Sequence, residues 1–180
     1  MDLIASVDRA VVEFMSGTMK CGFLDATMPY ATLLGEAGIF WIICALVFLF
    51  IRRSRKIGFV CAVSMSMDFI LCNLVIKKLV ARARPNASFW NSALIFMPTD
   101  YSFPSGHTAI SFAAAAAIFS QNKKLGSAAF ALAALVGFSR VYLCVHWLSD
   151  VIAGALVGTA CAVAAYFIVK TICKNRKAKN

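Results

Sequence analysis

Lys77 and Arg84-Pro85 form the first of three short polar clusters between residues 77 and 150. Pro104-Ser105-Gly106-His107 is the second, and Ser139-Arg140, His146 and Asp150 make the third. The clusters contain both histidines of the chain. Such groups are costly near lipid, so their presence in an apolar sequence calls for a function. If the clusters meet, Lys77, Arg84 and Arg140 converge. Guanidinium forks match phosphate oxygens bidentately, and an ammonium acts as a point charge. Pro-Ser-Gly-His can open a helix, whose first amides bind anions. Ser105 adds a hydroxyl, and Gly106 lets an anion approach the backbone. Together these parts describe a phosphate cradle.

His146 and Asp150 are four apart and share a helical face if a helix begins near His146. Asp150 can take the Nδ1 proton, fixing the tautomer and leaving Nε2 free to attack phosphorus. His107 can protonate a leaving oxygen and later activate water. Such a covalent route splits hydrolysis into two easier steps. The sequence offers no carboxylate cluster for magnesium or zinc, so neither a metal nor another cofactor is expected.

The elements that must position these residues are apolar helices. Of the 180 residues, 61% are hydrophobic, and the mean hydropathy is +0.80. That reads as one integral membrane domain. The formal charge of +10 does not point to nucleic acid, because the basic residues sit in short runs at the ends of apolar segments. The seven cysteines are scattered singly and read as small buried thiols. No cleavable signal peptide is expected.

Residues 1–24 hold an amphipathic segment with Leu3, Ile4, Val7, Val11, Phe14 and Met15 on one face and charges on another. It suits a helix lying in the membrane interface. Gly22–Pro29 reads as a connector. The fold expected is all-α, an integral membrane bundle of about five transmembrane helices: roughly 33–51, 57–76, 104–120, 125–144 and 148–170. Residues 25–170 would form the catalytic bundle and 171–180 a basic cytoplasmic tail. The connection 77–103 carries Phe89, Trp90, Phe96, Met97, Tyr101 and Phe103, which suits the headgroup level. Gly154 and Gly158 favour close helix contact. Arg52–Lys56, Lys123-Lys124 and the tail place one side in the cytoplasm. The polar clusters would then face outward from the plasma membrane.

The three clusters, in order, resemble the signature of the type 2 phosphatidic acid phosphatase superfamily, which also includes vanadium haloperoxidases. The resemblance covers roughly residues 25–165. It implies that His146 is the nucleophile, Asp150 its orienting partner and His107 the general acid. It also implies that Lys77, Arg84, Ser105, Gly106 and Arg140 surround the phosphate. Five spanning helices plus an interfacial one look like the short bacterial members acting on undecaprenyl diphosphate.

The function expected is therefore hydrolysis of a membrane lipid phosphate or diphosphate, with undecaprenyl diphosphate leading and phosphatidic acid or phosphatidylglycerol phosphate next. Phosphotransfer to another acceptor is an alternative. A lipid transporter or scaffold is a non-enzymatic one, against which stand the intact clusters and the absence of a visible repeat. Lys78 and Arg82 read as headgroup contacts. Asp68, mid-helix where a carboxylate costs roughly 2.5–3.5 kcal/mol, reads as structural with Asn73 as a polar neighbour. Asn86-Ala87-Ser88 is a sequon by pattern only.

Overall fold

The computed structural model describes residues 2–85, 89, 94–96 and 98–179. The sequon, Trp90 and Met97 lie outside the described residues. Helices account for the architecture: α1 is Asp2–Ser16, α2 Gly22–Leu33, α3 Ile39–Phe50, α4 Arg55–Val80, α5 Gly106–Gln121, α6 Lys123–Tyr142 and α7 Leu148–Lys179. Three of them (α4, α6 and α7) are individually long and apolar enough to cross a membrane. The pair Gly22–Leu33 and Glu36–Phe50, bent by 43°, adds a fourth. The expected bundle counts α5 as a fifth span, but α5 has only 16 residues, rises roughly 24 Å at 1.5 Å per residue and is not among the helices long enough to cross alone.

Small residues hold the bundle together. Ala113, Ala114, Ala115, Ala117, Ala133 and Ala165 are all buried, and α5 lies at the centre, packed most extensively on α7 and α6. A Cβ on Gly158 would lie 2.0 Å from the Ala109 carbonyl oxygen, and one on Gly154 would lie 2.6 Å from that of Ser105. The expected close contact is therefore real, and it brings the α5 and α7 backbones together at the site end. Trp41 reaches across from α3, donating its indole N–H to Ser111 Oγ at 2.9 Å.

Several boundaries differ from expectation. Gly22–Pro29 is helical, not a connector. Pro29 lies inside α2, where it removes one donor, and the helix persists through packing of Met28, Ala31 and Thr32 on the bundle. The break before α3 falls at Ala37 (φ 47°) and Gly38 (φ 68°). Residues 171–179 are helical, because α7 runs to Lys179. In α4, residues Phe69–Ile76 adopt π-helical turns, a feature frequent at functional sites. Lys77 consequently sits on the helix, buried at 8% exposure. Asp68, just before the π segment, has both carboxylate oxygens unpartnered among the described residues. Asn73 does not serve it: its Oδ1 lies 3.0 Å from where a Gly106 Cβ would be.

One face of α1 leaves Leu3, Ile4, Val7 and Phe14 exposed. Its other face docks through Val12 and Asp8, which are 0% and 2% exposed.

Candidate active site

The helix ends bring all three clusters to one end of the bundle. Lys77 ends α4, Arg84 follows it, His107 opens α5, Arg140 lies in the last turn of α6, and His146 and Asp150 flank the start of α7. His146 is 1% exposed and Asp150 0%.

Arg84 joins the clusters. Its Nη1 donates to the Val145 carbonyl at 2.6 Å and lies 3.0 Å from His146 Nε2. A guanidinium has only donors, so Nε2 must accept and the proton must reside on Nδ1. Nδ1 lies 3.5 Å from Asp150 Oδ2 and 3.4 Å from Ser102 Oγ. Ser102 in turn donates its hydroxyl to Asp150 Oδ2. Burial pushes the His146 pKa down to about 3, so the imidazole is neutral near pH 7 with a lone pair on Nε2. The expectation of a free Nε2 needs correcting, because Arg84 occupies its lone-pair direction.

Asp150 is anchored more heavily than the sequence indicates. Oδ1 accepts from Arg82 Nη1 at 2.7 Å, and Oδ2 accepts from the Trp147 amide at 3.0 Å. Arg82 also donates to Asp8 Oδ2 at 2.7 Å and Ser149 Oγ at 2.7 Å. Asp8 caps the start of α7 through the Ser149 amide at 2.9 Å. Arg82 is thus built into the site and is not a headgroup contact, which corrects its sequence reading. Lys78 is exposed.

Three cavities adjoin this core. One of about 820 Å³ is lined by Tyr30, Thr32, Glu36, Asp100, His107 and Arg140. A second of about 240 Å³ is lined by Asn73, Lys77, Asp100, Gly106 and His107. A third of about 360 Å³ lies beside Arg82, Arg84 and Asp100. Lys77, Arg84, Gly106, His107 and Arg140 therefore face open space, while His146 and Asp150 lie behind them. Ser105 is buried too: its hydroxyl accepts from Thr108 at 3.0 Å and its amide donates to the Asp150 carbonyl at 3.0 Å.

The cations are unevenly partnered. Asp100 accepts from Lys77 Nζ through Oδ2 and from Arg84 Nη2 through Oδ1, the latter at 2.6 Å. Burial alone would raise the Asp100 pKa, but Lys77 and Arg84 hold it down at about 2. Arg140, 2% exposed, donates to Thr32 Oγ1 at 2.6 Å, and its Nε is unpartnered among the described residues. His107 Nε2 lies 3.1 Å from Glu36 Oε2. Among the described residues, no three histidine, cysteine, aspartate or glutamate side chains gather as a metal site requires.

Asp8, Glu36, Arg82, Asp100 and Ser102 escaped the sequence reading as site residues. Glu36 gave the strongest signal, a carboxylate opening an apolar run, as costly there as the groups of the three clusters.

This bundle, with its cations and both histidines at one end, is the architecture of a membrane phosphatase family. The sequence matches the PAP2 superfamily over residues 56–173, and the chain belongs to it. It is 38% identical over 139 residues to an undecaprenyl-diphosphatase of Sulfolobus acidocaldarius, covering 76% of this chain and 66% of that relative, just under two thirds. Over 169 residues it is 30% identical to phosphatidylglycerophosphatase B of Bacillus subtilis, covering 88% of this chain and 73% of the relative. The fold is similar to that of the transmembrane PAP2-type phosphatidylglycerolphosphate phosphatase from Bacillus subtilis, with a TM-score of 0.74 and 26% identity. That match covers 97% of this chain and 88% of the other.

Proposed function

We propose that this protein is a membrane-embedded phosphatase that removes phosphate from a lipid phosphate or diphosphate through a phosphohistidine on His146, with undecaprenyl diphosphate as the leading substrate. The observation that carries this is the neutral His146, its Nε2 lone pair held by Arg84 beside cavities lined by Lys77, Arg140 and His107. The 38% identity to an undecaprenyl-diphosphatase supports the substrate. Phosphatidylglycerol phosphate is the second reading, favoured by the structural match along nearly the whole chain.

In the proposed reaction, the phosphate enters between Lys77, Arg84 and Arg140, and Arg84 turns from Nε2 to the phosphoryl oxygens. The Nε2 lone pair attacks phosphorus, and the bond to the leaving oxygen breaks. His107, held by Glu36, gives that oxygen its proton. Asp150 and Ser102 hold the Nδ1 proton of the cationic imidazole. Water then attacks phosphorus, His107 takes a proton from it, and the phosphorus–nitrogen bond breaks to free inorganic phosphate and neutral His146.

The site is proposed to face the outside of the plasma membrane, because the basic runs collect at the opposite end. A phosphate-release panel on purified protein tests the reading. It compares undecaprenyl diphosphate, phosphatidic acid and phosphatidylglycerol phosphate in mixed micelles. Release from the diphosphate should be fastest and should vanish in His146→Ala. Turnover by His146→Ala at the wild-type rate would overturn the covalent mechanism.

A further inference from the structure

Asp100 stands out among the charged groups of the site. It lies in the non-helical segment after residue 98, borders all three cavities and is 53% exposed, whereas the side chains it holds, Lys77 and Arg84, are 10% and 9% exposed. One carboxylate oxygen meets an ammonium and the other meets a guanidinium fork, while the Asp100 carbonyl accepts from Arg84 Nε at 2.9 Å. Two oxygens spread across a lysine and an arginine form the pattern that two oxygens of a phosphate adopt.

The same segment is pinned two residues later, where the Ser102 amide donates to the Arg82 carbonyl at 2.8 Å. Asp100 can therefore swing out while Ser102 stays with Asp150. Buried cations left unpaired are costly, so a ligand-free site needs a counter-ion. Arg140, lacking any such partner among the described residues, faces the same large cavity and is available to a ligand's charge.

We propose that Asp100 is a specificity-determining residue: a resident carboxylate that keeps the place of the substrate's phosphoryl group between Lys77 and Arg84. Substrate binding is then an exchange of carboxylate for phosphate. This rests on the reading of Lys77 and Arg84 as phosphate ligands. The exchange sets a charge threshold. A terminal phosphate or diphosphate carries two or more charges at the site and displaces Asp100. The phosphodiester of an ordinary anionic bilayer lipid carries one charge, with two of its oxygens esterified, and does not match a tethered carboxylate. Specificity of this kind works by penalising the wrong ligand. It suits a site bathed in phosphodiester lipid.

The test measures inhibition by inorganic phosphate and by dioleoylphosphatidylglycerol for the wild type, Asp100→Asn, Lys77→Ala and Arg84→Ala in mixed micelles. Asp100→Asn should bind inorganic phosphate tighter by about five- to tenfold and become sensitive to phosphatidylglycerol. Lys77→Ala and Arg84→Ala should bind phosphate more weakly. If those two leave phosphate binding unchanged, the phosphate-ligand reading fails. If they weaken it and Asp100→Asn weakens it too or leaves it unchanged, that reading stands and the Asp100 inference is overturned. A second measurement needs no variant. Orthovanadate added to the wild type should speed hydrogen exchange at the amides of Thr99 to Tyr101 as Asp100 is expelled. Slower or unchanged exchange there would also overturn the proposal.

Discussion

Arg82 Nη1 donates to Asp150 Oδ1 at 2.7 Å, and Nη2 of the same guanidinium donates to Asp8 at 2.7 Å. A residue of the N-terminal helix is thereby two hydrogen bonds from the carboxylate beside His146. Arg82→Ala leaves Asp8 and Asp150 buried without their cation. It should destabilise the protein by on the order of 2–3 kcal/mol, below the range for fully buried pairs, because Arg82 is 26% exposed. Asp8→Asn should lower kcat more than it raises KM, since its effect reaches the chemistry through Arg82 and through the Ser149 amide beside Asp150. Thermal unfolding and steady-state kinetics in one detergent check both, and an Asp8→Asn variant with unchanged kcat would break the connection.

The protonation state of His146 is directly observable. The chain has two histidines, so a His107→Asn variant leaves one imidazole to follow by nitrogen-15 NMR. It should show the proton on Nδ1 and remain neutral at pH 5. With the folded value at about 3 and the unfolded value at 6.5, the unfolded chain binds the proton first. Stability should therefore fall as pH drops from 6.5 toward 3. A His146→Asn control should lose less over that window. An imidazole titrating near 6.5 would contradict the burial seen here.

The two histidines should separate by leaving group. His146→Ala should be inactive on both a diphosphate lipid and p-nitrophenyl phosphate. Asp150→Asn should leave a remnant, since an orienting carboxylate contributes up to about four orders of magnitude in a comparable triad. His107→Ala should retain relatively more activity on the nitrophenyl ester and accumulate phosphoenzyme, because water activation is also impaired. Retained turnover in His146→Ala together with a first-step loss in His107→Ala would exchange the roles.

The convergence of Lys77, Arg84, His107, Arg140, His146 and Asp150 was legible because they are costly groups in an apolar chain, and their fixed spacing survives in one dimension. Asp100 and Asp8 were not legible. Each is an ordinary acidic residue in its local sequence, and its meaning depends on a cation that the fold brings in from 16 or 74 positions away. The helix at Gly22–Leu33 was missed for a related reason: Pro29 lowers the local propensity, and tertiary packing overrides it. The bundle itself was readable because apolar runs of membrane length leave few alternatives.

Backbone proximity between α5 and α7 gives a stability prediction. Gly158→Ala should cost about 1–3 kcal/mol by overpacking, because its Cβ would press on the Ala109 carbonyl at 2.0 Å. Gly22→Ala, with nothing within 4 Å, should be neutral. Equal melting temperatures for the two variants would mean that the helices separate more readily than their contact indicates.

Orientation and metal dependence can be tested together in cells and in micelles. Cysteine at Thr99, in a background without reactive native thiols, should label with an impermeant reagent in intact cells. Labelling only after lysis would place the chemistry at the inner leaflet. Activity should persist in excess EDTA, and loss restored by magnesium would point to a metal-assisted route.

The bend of 43° between α2 and α3 has a kinetic consequence. It leaves the cavity of about 820 Å³ walled on one side by Tyr30 and Leu33, side chains that are themselves exposed at 73% and 57% and would meet acyl chains in a bilayer. A lipid reaching His107 past them travels in two dimensions, and water volume does not enter its encounter rate. Turnover should then follow the mole fraction of substrate in the surface. Inert detergent added at constant bulk lipid should slow it as the surface is diluted.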